Sequence, residues 1–226
     1  MHSGHRARMK ARYLEQGLDA LADHEALELL LYYAIPRADV NPLAHRLIDR
    51  FGSFSAVLEA DVQELKQVEG MGESTALLIR LMRDLNRRFL IEKAQGDGRP
   101  VLAETEAAGR FFLPYFHGLM EEQVYVAFLD DRFRLLKCRR MFDGGVNSAP
   151  VNVRKLVEAA IQYKATNLIL AHNHPAGQAL PSVEDRDTTR KLAAALQALS
   201  LQLADHIIVA GEEFLSMAEC GYFERK

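Results

Sequence analysis

Residues Asn167 to Thr189 read NLILAHNHPAGQALPSVEDRDTT, and the rest of the chain is understood from them. Asn-Leu-Ile-Leu-Ala is an apolar run of strand length that delivers His172 and His174 one residue apart. Side chains two apart on a strand share a face, so both imidazoles converge on one point. Pro175 cannot continue a hydrogen-bonded ladder, and Gly177 with Pro181 marks a tight return. Ser182 then serves as a helix N-cap, with Asp185 in the first turn of the helix it starts. Two imidazoles and a carboxylate make a catalytic zinc set, because three protein ligands leave the fourth tetrahedral position to water. Ser-Val-Glu-Asp also fits a capping box, in which Ser182 and Asp185 simply close a helix end.

The whole string, HxHP, a glycine and then PSxxD, resembles the JAMM motif of the JAB/MPN metalloprotease family. The remainder resembles the bacterial RadC branch of that family, in which a helix-hairpin-helix segment precedes the MPN domain. The resemblance runs from about Lys10 to Phe223. It implies an α/β fold class, with a small all-α helix-hairpin-helix domain over residues 1–95 and an MPN domain over residues 101–226. It further implies that His172, His174 and Asp185 hold zinc and that Ser182 is catalytic, helping to polarise the scissile carbonyl of a peptide or protein substrate. The family's acid–base glutamate lies on an earlier strand. Alignment on GGVNSAPVNVRKLVEAA puts Arg139 at that place, and no glutamate occurs between Glu122 and Glu158. Lys155 is a second departure, where relatives often carry glutamate. Arginine stays protonated and cannot act as a base, so peptidase activity is expected to be weakened.

Composition sets the bounds. With 226 residues the chain is long enough for two small domains, and 49% hydrophobic residues make it globular. A net charge of −3 carries no overall polyanion-binding signature. Two cysteines, Cys138 and Cys220, suggest neither a disulfide framework nor a Cys-rich zinc site. No segment has the apolar length of a signal peptide or a membrane span, so the expectation is a cytoplasmic protein without a membrane partner.

The N-terminal half reads as helical. Arg6, Arg8, Lys10 and Arg12 form a basic tail expected to be solvated and frayed. Leu18 to Ile35 has helical spacing with Asp23 as its cap, and a second helix follows Asn41-Pro42. Two short helices come next, the second capped by Asp61, and His24 and His45 read as structural. Gly70-Met71-Gly72 makes a tight corner, and the amides from Ser74 onward face a position that can hold phosphate. Gly70, Gly72 and Ser74 are therefore the candidate contacts to a DNA backbone, supported by Arg80, Arg83, Arg87 and Arg88 and opposed by Glu69 and Glu73. A corner that only packs helices needs no ligand.

Beyond Ala94 to Pro100 the pattern changes to a helix over Glu104–Phe116, strands over Glu122–Leu129 and Phe133–Phe142, and a helix over Val153–Lys164. His206, on the later strand ADHIIVA, is a neighbour of the site or a packed core residue. A non-catalytic, DNA-binding role in repair or recombination is the alternative to hydrolysis. A nucleobase deaminase fits poorly, because H-x-E and P-C-x-x-C are both missing.

Overall fold

The computed structural model of the protein describes residues 2–96, 98–143 and 153–223. One compact unit runs up to Asn86 and a second begins at Arg87. The first consists of helices α1 (His2–Gln16), α2 (Asp23–Ala34), α3 (Asn41–Phe51), α4 (Phe54–Glu59) and α5 (Val62–Lys66), with most of α6 (Glu73–Gln95). Leu27, Leu31, Leu47, Val57, Leu65 and Ile79 are its buried centre.

The basic N-terminus differs from the frayed tail expected of it. It is helix α1, docked by its own arginines: Arg6 donates to the Pro36 and Ile35 carbonyls at 2.7 and 2.9 Å, and Arg12 pairs with Glu25 at 2.9 Å. Carbonyl partners about thirty residues away and a carboxylate thirteen residues away decide this, and composition does not display them. The helix expected over Leu18–Ile35 also starts later. Leu18–Ala20 is a single 3-10 turn, α2 is capped at Ala22, and the Glu25 carboxylate accepts the Ala22 amide at 2.9 Å. Asp23 instead accepts the amide of Phe54 at 3.1 Å, closing the start of α4. Asp61 caps α5 as expected.

The second unit adds α7 (Thr105–Phe116), β1 (Gln123–Leu129), β2 (Leu135–Asp143), α8 (Val153–Tyr163), β3 (Asn167–Asn173), α9 (Val183–Gln197), β4 (Gln202–Ala210) and β5 (Glu213–Ser216). The strands form one mixed sheet in the order β2-β1-β3-β4-β5, in which β3 and β4 run parallel and the other neighbouring pairs antiparallel. Phe111, Phe112 and Tyr115 of α7 pack with Ala127, Ile169 and Ile207 on one face. Leu156 of α8 and Leu192 of α9 cover Val126, Leu170 and Ile208 on the other. The chain is thus a helical region followed by a mixed α/β domain. Strand β2 begins two residues later than expected, because Phe133 takes a left-handed φ of 58° within the turn held by Asp130. The glycine pair Gly144-Gly145, which reads in the sequence as the end of that strand, lies outside the described residues. Among the described residues, no helix is long and apolar enough to cross a membrane.

Gly109 of α7 yields a prediction with an unusual sign. Glycine to alanine inside a helix ordinarily stabilises by about 1 kcal/mol. Here an added Cβ lies 2.1 to 2.3 Å from the Phe214 ring, which packs on the same core. Gly109→Ala is expected to destabilise by about 1–3 kcal/mol in urea unfolding, since the ring has to leave its packing position. A gain in stability rules this account out.

Candidate metal centre

Strand β3 carries His172 on the face that α9 covers, and His174 follows its last residue. The chain continues in line because the His174 amide donates to the Val209 carbonyl of β4 at 2.8 Å. Asn173, between the histidines, ties this end of β3 to the approach to β1. Its Oδ1 accepts the Gln123 amide at 2.8 Å and its Nδ2 donates to the Glu121 carbonyl at 3.1 Å. The turn after His174 brings the Gln178 carbonyl within 3.0 Å of His174 Nδ1, where only an N–H satisfies it.

Helix α9 brings the carboxylate. Both readings of Ser182 and Asp185 as a helix start and as a site coexist. The Ser182 Oγ accepts the Asp185 amide at 3.0 Å and donates to Asp185 Oδ2 at 2.7 Å, while the Ser182 amide donates to the same oxygen at 2.9 Å. This capping box fixes the carboxylate and occupies Oδ2, so Oδ1 keeps its lone pairs for another partner.

The ligand atoms converge. His172 Nε2 is 2.9 Å from His174 Nε2 and 3.4 Å from Asp185 Oδ1, and His174 Nε2 is 3.5 Å from Asp185 Oδ2. Tetrahedral zinc with bonds of about 2.0–2.1 Å requires ligand atoms roughly 3.3 Å apart. The 3.4 Å between His172 Nε2 and Asp185 Oδ1 meets that value and the 2.9 Å between the imidazoles is shorter, and the donor set of two imidazoles and a carboxylate suits a divalent cation with one position left open. Among the described residues, His172, His174 and Asp185 form a group that can hold a metal ion.

The electrostatics agree. Burial works to raise the Asp185 carboxyl, but the imidazoles of His172 and His174 outweigh it and hold the carboxyl far below the usual carboxylate range. Reciprocally, the Asp185 carboxylate holds His174 above its ordinary value against the opposing effect of burial. His206 behaves differently: complete burial, with His172 beside it, pushes it well below its ordinary value and keeps it neutral.

Residues 102–222 match the RadC-like JAB domain, and residues 3–77 match the UPF0758 N-terminal domain. The chain belongs to the RadC-like JAB domain family. A UPF0758 protein of Ruegeria pomeroyi is 37% identical over 222 residues, covering 96% of each chain. One from Rhodobacter capsulatus is 38% identical over 216 residues, 93% of this chain and 98% of that one. One from a Geobacillus species is 32% identical over 216 residues, 96% of this chain and 95% of that one. The mixed sheet with its covering helices is the fold of a JAB/MPN domain, and the His-His-Asp group sits in the part of the chain that matches it.

Arg139 lies opposite Val126 on β1, which in turn lies opposite Leu170 on β3, so it shares the sheet face of His172. Its exposed guanidinium donates to the Tyr163 hydroxyl of α8 at 3.2 Å. The hairpin residues Gly70, Gly72 and Ser74 belong to the other unit. Gly70 needs its left-handed φ of 90°, and the Thr75 and Ala76 amides both return to the Gly72 carbonyl. Sequence reasoning passed over Thr189, which is buried four residues after Asp185 on the same face of α9. Its spacing from Asp185 was the available signal.

Proposed function

We propose that this chain is a metal-dependent hydrolase of amide bonds, with zinc held by His172, His174 and Asp185 and with activity weakened at Arg139. The convergence of two imidazole nitrogens and a carboxylate oxygen on one point, three protein donors where tetrahedral zinc takes four ligands, is the observation that carries the reading. When bound, zinc supplies Lewis acidity, polarising a carbonyl and acidifying water. In this reading Ser182 gives the developing oxyanion a hydrogen bond, which requires its hydroxyl to leave Asp185 Oδ2. Asp185 keeps its orientation through the Ser182 amide. Proton transfer is the weak step, because Arg139 replaces a carboxylate with a permanent cation.

The test is turnover of a fluorogenic peptide library by the purified chain, before and after chelation and after zinc is returned. Slow cleavage that chelation abolishes and zinc restores is the expected result. No cleavage in any state, with zinc shown to be bound, overturns the hydrolase reading. A second reading, a non-catalytic protein that contacts DNA through Gly70, Gly72 and Ser74, draws support from the formed hairpin and from Arg46, whose guanidinium holds the Glu69 carbonyl beside it at 2.9 Å. Against it, Arg83 is buried on the Glu59 carbonyl, and Arg80 and Arg88 pair with Asp84 and Glu92. DNA binding that weakens steeply with salt, in the absence of cleavage, would favour this reading.

A further inference from the structure

We propose that Thr189 and His206 form a hydrogen-bond relay that sets the tautomer of His172, leaving its Nε2 lone pair for the metal. The proposal rests on reading His172, His174 and Asp185 as metal ligands, and the direction of each hydrogen bond carries it.

The Thr189 Oγ1 lies 2.6 Å from the carbonyl oxygen of Asp185. Two oxygens that close need a proton between them, and a carbonyl has none to give, so Thr189 donates. Its hydroxyl has one proton. At its other short contact, 2.6 Å from His206 Nδ1, the oxygen must therefore accept, and Nδ1 carries the hydrogen. The Met217 sulfur at 3.7 Å is too weak an acceptor to change that order. A neutral imidazole has one N–H, so His206 Nε2 is a bare acceptor. It faces His172 Nδ1 at 2.8 Å, and His172 must donate there. The proton of His172 is thereby fixed on Nδ1. Its Nε2 is left unprotonated, facing His174 Nε2 and Asp185 Oδ1.

Topology explains why these residues meet. The parallel pairing of β3 and β4 puts His206 beside Leu170, one step from His172 on the same sheet face. Thr189 and Asp185 are four apart on α9, so the relay ends on the backbone of the carboxylate ligand itself. His172, Asp185, Thr189 and His206 are all buried, so solvent does not stand in for a missing partner. His174 places an N–H on the Gln178 carbonyl through its own Nδ1 and needs no relay. His206 has its Nε2 engaged by His172, which makes it a positioning residue one imidazole removed from the ligand atoms.

The test begins with the metal-free, nitrogen-15-labelled full chain, in which long-range proton–nitrogen correlations of the imidazoles report each tautomer. His172 is expected to carry its proton on Nδ1. Thr189→Val keeps the shape and removes the acceptor for His206 Nδ1. His206 is then expected to move its proton to Nε2 and to drive His172 into the Nε2–H form. Affinity for zinc and for cobalt(II), measured by competition with a chromogenic chelator, should fall roughly tenfold to a hundredfold. Thr189→Ser should restore both tautomer and affinity, which a merely space-filling role for Thr189 does not predict. A wild-type His172 protonated on Nε2, or a Thr189→Val chain with unchanged tautomer and affinity, overturns the relay. If Thr189→Val fails to fold, the wild-type tautomer and Thr189→Ser still decide. A chain with the expected tautomer that binds neither ion supports the relay and sinks the metal reading, so the two failures are told apart.

Discussion

Replacing both His172 and His174 with alanine should lower zinc affinity by about three orders of magnitude or more, with the fold retained. Two of three ligand atoms are lost, and a lone carboxylate with one lone-paired oxygen is no site for zinc. The fold survives because the elements are held by other groups. Ser182 and Asp185 still close α9, Asn173 still ties β3 to the approach to β1, and the apolar part of β3 stays buried. Chelator competition with circular dichroism as control makes the measurement, and an affinity within tenfold of the wild type would remove this ligand set from consideration. The pH dependence adds a second check. Asp185 holds His174 above its ordinary value of 6.5, so a proton remains there at pH values where a free imidazole has lost it. Zinc has to displace that proton. Wild-type affinity should therefore rise with pH through the raised value and level off above it, falling by about tenfold per unit below it. For the metal-free chain the sign is opposite. A group whose value is raised by folding contributes stability that is fully present below its unfolded value and is lost as pH rises through the folded one. Through His174 alone, a falling pH thus favours the empty fold while disfavouring the bound ion, and the lowered value of His206 works against the empty fold in the same direction of pH.

The parts of this centre that were legible in the sequence are those whose determinants are local. An apolar run followed by H-x-H announces a strand end, and S-x-x-D announces a helix start, because alternation and capping operate over two to four residues. Short range also explains the correct cap at Asp61. Where partners came from afar, the reading failed. Asp23 closes α4 and not its own helix, and Arg6 of α1 binds carbonyls near residue 36. His206 could be named as a neighbour from its place on an apolar strand, but its bond to His172 depends on the β3–β4 register, a property of two strands 34 residues apart. Thr189 was silent for the same reason: its role exists only once His206 is beside it.

Arg139→Glu should raise chelator-sensitive peptide cleavage by roughly a hundredfold or more, within the range of 10²–10⁴ that a placed general base or acid contributes. The argument rests on what the present residue does. Arg139 is exposed on β2, on the sheet face of His172, and among the described residues its guanidinium donates a hydrogen bond to the Tyr163 hydroxyl. Removing that exposed contact changes stability by no more than about 0.5 kcal/mol, so a change in rate reports chemistry and not unfolding. Glutamate does two things there at once: it removes a permanent cation and it introduces a carboxylate able to take and return a proton. Arg139→Gln separates them, because it removes the charge and adds no base. If glutamine raises the rate as far as glutamate, the arginine was acting by repulsion of a cationic centre. If only glutamate does so, proton transfer was the missing function. Combining Arg139→Glu with the loss of His172 and His174 must return the rate to background, since a base without the ion has nothing to activate. An unchanged rate in Arg139→Glu, with zinc bound, would place the defect elsewhere than position 139 and would turn the balance toward a chain that keeps its metal ligands for architecture alone.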